Sequence, residues 1–215
     1  LMTHKSGYIN TTPINPYRWK GTNMNKEQII KMKSILALVM FSMILIISGC
    51  GQDDVSDHSS KKPKPPVIDI HTAVISGDIN AIKQHISAGT HINQKDPFGG
   101  SSPLISAALF NQPEIVTLLL DAGANIDFKN NDGSTALHVA AFFCRPDIVK
   151  LLLNRGADKS LLNNSGSTAH DTVAGPFEAV KPIYDMLGQS LAPMGLRLDY
   201  DQLKATRPQV AALLK

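Results

Sequence analysis

Two cysteines, a pair of histidines in matching settings and scattered serines and aspartates are the residues of this 215-residue chain with chemical potential. His138 and Cys144 lie six apart with no Cys-x-x-Cys or His-x-x-x-His spacing beside them, so metal ligation is not indicated. Ser, His and Asp can be combined into a triad on paper. No Gly-x-Ser-x-Gly elbow or other local signature supports one, and no catalytic residue, metal or cofactor is assigned. Cys144 is a free thiol that could be oxidised or pair between chains in an oxidising compartment. The other cysteine, Cys50, ends an apolar run, and two cysteines so placed give no intramolecular disulfide framework.

The elements that must position these residues follow from a period of 33. Ser102-Pro103-Leu104 returns as Thr135-Ala136-Leu137-His138 and again as Thr168-Ala169-His170, while Gly123-Ala124 returns as Gly156-Ala157. A weaker first copy fits after a one-residue slip, which sets Ile70-His71 against Leu137-His138 and Gly89 against Gly123. A fixed period of this length marks small units that bury their apolar faces only against neighbours.

The chain ahead of the repeats reads as an address. Lys31 and Lys33 precede the apolar run Ile35 to Ile47, and Ser48-Gly49-Cys50 follows. Thirteen residues make about 20 Å of helix, short of a bilayer core of roughly 30 Å. Basic flank, short apolar stretch and small-residue exit describe a secretory signal over 24–49, and residues 1–23 are set aside as an over-extended start or leader. Ile47-Ser48-Gly49-Cys50 resembles a bacterial lipobox. That resemblance implies acylation of Cys50, cleavage before it and a lipid anchor in the cell envelope. Gly51 after the cysteine implies the outer membrane, facing the periplasm. Residues 50–66 then form a polar Ser/Pro/charge-rich tether with too little apolar content to fold, spanning on the order of 20–25 Å. The net charge of +3 is carried by the address. From Cys50 onward 15 Lys and Arg face 17 Asp and Glu, which leaves no electrostatic footprint for nucleic acid.

Within each unit the residues have physical roles. Ser102 and Thr135 can cap a first helix, Pro103 suits its first turn, and Ala107-Ala108 and Ala140-Ala141 allow close stacking. Gly77, Asn111 and Cys144 fall where the chain must turn back. Pro113 and Pro146 open a second helix with the apolar sets Ile115-Val116 plus Leu118 to Leu120, and Ile148-Val149 plus Leu151 to Leu153. With the run Thr135 to Ala141 set beside Asp147 to Leu153 and Arg155 to Asp158, the chain resembles the ankyrin repeat family. The resemblance implies an all-α solenoid of about four helix-turn-helix units (67–99, 100–132, 133–165, 166–190) joined by β-hairpin loops, with a helical C-terminal cap over 191–215. In the fourth unit His170 and Asp171 replace the usual Leu and His, Gly175-Pro176 shortens the first helix, and Pro182 interrupts the second. Atypical end units are expected of such arrays.

The resemblance also implies that His71 and His138 are structural, bonding to loop backbone. It implies that the two positions after Ala-Ala face a concave groove and vary with the partner. These are Leu109-Phe110 and Phe142-Phe143, with Ile75-Ser76 in the first unit and Phe98 in a hairpin loop. An apolar patch there would be an interaction surface with aromatic anchors, and Asn131, Asp132 and Ser134 are lesser candidates. The expectation is a monomeric, non-enzymatic, lipid-anchored module that binds a protein partner. Its alternatives are an immunity or inhibitor protein neutralising a secreted toxin or hydrolase, and an oxidative-stress factor using Cys144.

Overall fold

The computed structural model describes residues 63–215. The signal segment, the residues before it, Cys50 and the tether through Lys62 lie outside the described residues. The described helices are α1 (Ile70–Ser76), α2 (Ile79–Ala88), α3 (Pro103–Leu109), α4 (Pro113–Asp121), α5 (Ala136–Phe142), α6 (Pro146–Asn154), α7 (Ala169–Ala174), α8 (Phe177–Leu191) and α9 (Tyr200–Leu214), with a 3₁₀ turn at Ala192–Met194. No helix among the described residues is long and apolar enough to cross a membrane.

Each unit pairs a short first helix with a second one, and the pairs stack in two rows. The first helices pack in the order α1, α3, α5, α7, and the second helices in the order α2, α4, α6, α9. Between the rows lie Ile70, Ile82, Leu104, Ile115, Val116, Leu119, Leu137, Ile148, Val149 and Leu152, all fully buried. The turn between paired helices is left-handed at Gly77 (φ 71°), Asn111 (φ 57°) and Cys144 (φ 52°), as the spacing predicts. Asn tolerates that backbone, and Cys does so less readily.

The one-residue slip of the first copy comes from the turn that follows it, where Asp96 bonds to Ser101 five residues on while Asn130 and Asn163 bond to Ser134 and Ser167 four residues on, and a second difference lies at its helix start. Asp69 takes the place held by Pro103 in the second unit. Its carboxylate caps α1 by accepting from the His71 and Thr72 N–H groups at 2.9 and 3.1 Å. A carboxylate is an effective cap, so the helix starts one residue late. His71 is thereby left without the Thr cap that His138 has.

The expected β-hairpins are tight polar turns, and no described residue is in a strand. Each is closed by a backbone bond, Asp96 N–H to Ser101 O, Asn130 N–H to Ser134 O, Asn163 N–H to Ser167 O, at 2.9–3.1 Å, and the last two hold a second one from Gly133 to Asn130 and from Gly166 to Asn163. Side-chain oxygens fill each turn, with Asn130 Oδ1 accepting from Asp132 and Ser134 N–H, and Asn163 Oδ1 from Ser165 and Ser167 N–H. Successive turns then tie together through Asn131 N–H to Gly99 O (3.0 Å) and Asn164 N–H to Asp132 O (2.9 Å).

The fourth unit corrects the sequence reading. The second helix expected within 166–190 is not α8. The helix stacked on α6 and paired with α7 is α9, from the segment read as a cap. It buries Leu203, Arg207, Val210 and Leu214 along one stripe, and the carbonyl of its C-cap Lys215 accepts from Lys159 Nζ at 2.6 Å. The segment Gly175–Asp199 is therefore an insertion between the two helices of the last unit.

Two substitutions probe this packing. Leu119→Ala should lower unfolding free energy in a denaturant titration by about 2–5 kcal/mol, the range for a fully buried leucine. Gly133→Ala should also shift the midpoint down, because φ is +71° and a Cβ would lie 2.4 Å from Asn164 Oδ1 and 2.8 Å from its backbone N.

Candidate functional site

The inserted helix α8 decides what the inner face offers. Tyr184, at its centre, is fully buried. Its ring stacks on Phe142 (centroids 4.6 Å apart) and on Phe177 (5.8 Å), and meets Phe143 edge-on at 6.1 Å. Its hydroxyl donates to the Phe142 carbonyl oxygen and accepts from Arg207 Nη1 at 3.1 Å. Burial pushes the Tyr184 phenol well above its ordinary range, so it stays a neutral donor. Arg207 also donates to Gly175 O at 2.9 Å, pinning the start of the insertion.

The predicted aromatic set therefore divides. Phe143 is 5% exposed and Phe142 half-buried, both occupied by the chain's own α8 rather than free for a partner. Leu109, Phe110 and Ile75 are half-buried, and Ser76 is exposed. Phe98 stands out at 70% exposure on a turn built by Asp96, whose carboxylate accepts from the Phe98, Gly99 and Ser101 N–H groups. Burial raises that carboxyl, but the three donors outweigh it and hold it below the usual range. Asn131, Asp132 and Ser134 lie in the turn ladder. The backbones of Asn131 and Asp132 bond to neighbouring turns and that of Ser134 to Asn130 of its own turn, while the Asn131 and Asp132 side chains stay exposed. Cys50 lies outside the described residues.

The histidines occupy a structural setting. The Thr135 N–H donates to His138 Nδ1 at 3.3 Å, which makes Nδ1 an acceptor and leaves Nε2–H to donate to Ser167 O at 3.1 Å. This bridges the third unit to the turn before the fourth. The ring must be neutral for that pattern, and burial lowers its pKa. His71 is buried with no partner for either ring nitrogen among the described residues. Burial lowers it as well, against the pull of Asp96 and Asp69.

Cys144 is buried, and desolvation raises its thiol despite the nearby Arg207 and Arg145. A raised, enclosed thiol is a poor nucleophile. The cleft beside it, about 50 Å³ between Phe143, Arg145, Leu198 and Leu203, is far below the several hundred Å³ of a ligand pocket. Among the described residues no group of three His, Cys, Asp or Glu side chains converges as for a metal. Sequence reasoning missed Tyr184 and Arg207. The aromatic stripe Phe177, Val180, Tyr184, Leu187 was visible but was read as an irregular second helix.

A family model agrees with the repeat geometry. Residues 70–163 match a family model described as "Ankyrin repeats (3 copies)". Protein phosphatase 1 regulatory subunit 27 of Homo sapiens and that of Mus musculus are each 36% identical over 64 residues, 30% of this chain and 41% of theirs. The chain thus spans less than half the length of these curated relatives. The solved ankyrin repeat domain of Bcl-3, titled a unique member of the IkappaB protein family, is 34% identical with a TM-score of 0.47, over 48% of this chain and 45% of that one. The class is plain for the matched segment: residues 70–163 carry ankyrin repeats, and the described helices stack as a solenoid whose last pair runs past that segment.

Two outcomes follow from the site. Tyr184→Phe leaves the Phe142 oxygen with only the weak Cys144 thiol as donor and removes a partner of Arg207, so unfolding free energy should fall by about 1–3 kcal/mol in urea. For the histidines, both folded-state pKa values lie below the unfolded value near 6.5. The unfolded chain then binds more protons, so stability is full above about pH 6.5 and is lost as pH falls below it. Melting temperature should drop between pH 7 and pH 5, and the His71→Gln/His138→Gln double variant should show a smaller drop.

Proposed function

We propose that the protein is a non-catalytic, lipid-anchored module of the bacterial envelope whose ankyrin repeats capture a protein partner. The observation that carries this reading is the unequal cover of the inner face. Phe143 of the third unit is 5% exposed and Phe142 carries the stacked Tyr184 ring, whereas Leu109 and Phe110 of the second unit are half-buried with no ring stacked on Phe110 among the described residues, and Phe98 protrudes from the turn before them. Stacked helices hold such a face rigid, so little ordering entropy opposes association. A regulatory subunit among the relatives is in keeping with binding rather than catalysis, and the buried Cys144 speaks against thiol chemistry.

The anchor rests on the sequence ending Ile47-Ser48-Gly49-Cys50 and on the polar tether behind it. Two or three acyl chains on Cys50 would give lasting attachment, where one chain holds only marginally. The tether would lift the repeats clear of the head groups.

Leu109→Ser and Phe110→Ser should each reduce partner recovery in a crosslinked pulldown from intact bacteria, with helicity by circular dichroism retained. Recovery unchanged in both variants would remove the capture reading. Cys50→Ser should abolish palmitate labelling and release the protein from the membrane fraction, and a variant still pelleting with membranes would disprove the anchor.

A further inference from the structure

The seat of Tyr184 on the third unit has an unfilled copy on the second. The last residue of α5, Phe142, cannot pass its carbonyl to the amide four residues on, because that residue is Pro146 and has no N–H. The Tyr184 hydroxyl supplies a donor, beside the weaker Cys144 thiol at 3.8 Å, while its ring covers Phe142 and Phe143. One period earlier the same pattern stands: Leu109 ends α3, Phe110 follows it, and the residue four beyond Leu109 is Pro113. No donor among the described residues is assigned to the Leu109 oxygen, and both side chains are only half-buried.

An orphan helix-end carbonyl beside an apolar side chain and an aromatic ring is a composite site. It needs an apolar ring to cover Leu109 and Phe110 and a hydroxyl donor at the ring's far end. Tyrosine carries both on one side chain. The chain itself shows the mount such a tyrosine takes, an amphipathic helix with Phe177, Val180, Tyr184 and Leu187 on one face. The geometry points to a partner that presents an amphipathic helix bearing a tyrosine, seated on Leu109 and Phe110 as α8 is seated on Phe142 and Phe143. This rests on the reading of the second unit as the capture face.

The test uses the full-length protein and a synthetic peptide of residues 177–191 with a photoreactive phenylalanine at Phe177. The expected crosslinks fall on residues 103–112. Saturable binding should weaken at least about tenfold in Leu109→Ser and Phe110→Ser, with Leu109→Ala as a milder variant should the serine forms lose helicity. A Tyr184→Phe peptide should bind about 2- to 10-fold more weakly, the worth of one hydrogen bond. Crosslinks confined to 136–145 would mean exchange at the seat of α8 and would overturn the inference. So would absence of saturable binding at millimolar peptide, or equal binding of the phenylalanine peptide. If cellular capture depends on Leu109 and Phe110 while the peptide fails, the capture face stands and the tyrosine-helix chemistry falls. If the peptide binds while cellular capture is indifferent to both residues, the reverse holds.

Discussion

A row of repeats leaves an apolar face open at each end, and covering the last one is the constraint on which this structure depends. Ile148, Val149 and Leu152 of α6 are fully buried only because another helix lies against that row. In the interior of the stack the next unit provides it. At the C-terminal end α9 does so, with Val210 and Leu214 turned inward and a solvated outer side. Once α9 holds that slot, α8 must lie elsewhere. The exposed rings of the third unit are the apolar surface within reach.

The joint between α8, α9 and the stack is polar at its centre. Arg207 is buried, and it is accommodated because its guanidinium meets the Tyr184 hydroxyl and the Gly175 carbonyl. Tyr184 in turn completes a helix end that Pro146 leaves open. A buried charge without such partners would cost several kcal/mol. The same economy of partners governs the turns, where Asn130, Asn163 and Asp96 satisfy backbone donors that would otherwise face neighbouring turns unpaired. The stack is thus held by apolar rows between the helices and by a polar ladder along the turns.

Several local features were legible in the residues themselves. The left-handed turns at Gly77, Asn111 and Cys144 follow from their place between an alanine-rich helix and the second helix that comes after it, opened by Pro113 and Pro146 in the second and third units. The structural role of His138, which the resemblance to ankyrin repeats implies, is carried by its bonds to Thr135 and to Ser167. The groove positions were harder to read. Leu109, Phe110, Phe142 and Phe143 are alike in spacing and character, yet the Tyr184 ring packs on the third unit's pair alone among them. The cover comes from a segment more than thirty residues downstream, and no local pattern encodes which pair it meets.

The sequence by itself determined the repeating unit, its period of 33 and the two apolar rows, because each depends on contacts at fixed short separations: a cap, a turn, a helical face. Only the tertiary structure decided which helix closes the last unit. Both α8 and α9 carry an apolar stripe, so periodicity assigns either to the slot. The choice falls to long-range complementarity. Arg207 on α9 finds two acceptors there, and Tyr184 on α8 finds the Phe142 carbonyl, to which Pro146 offers no N–H.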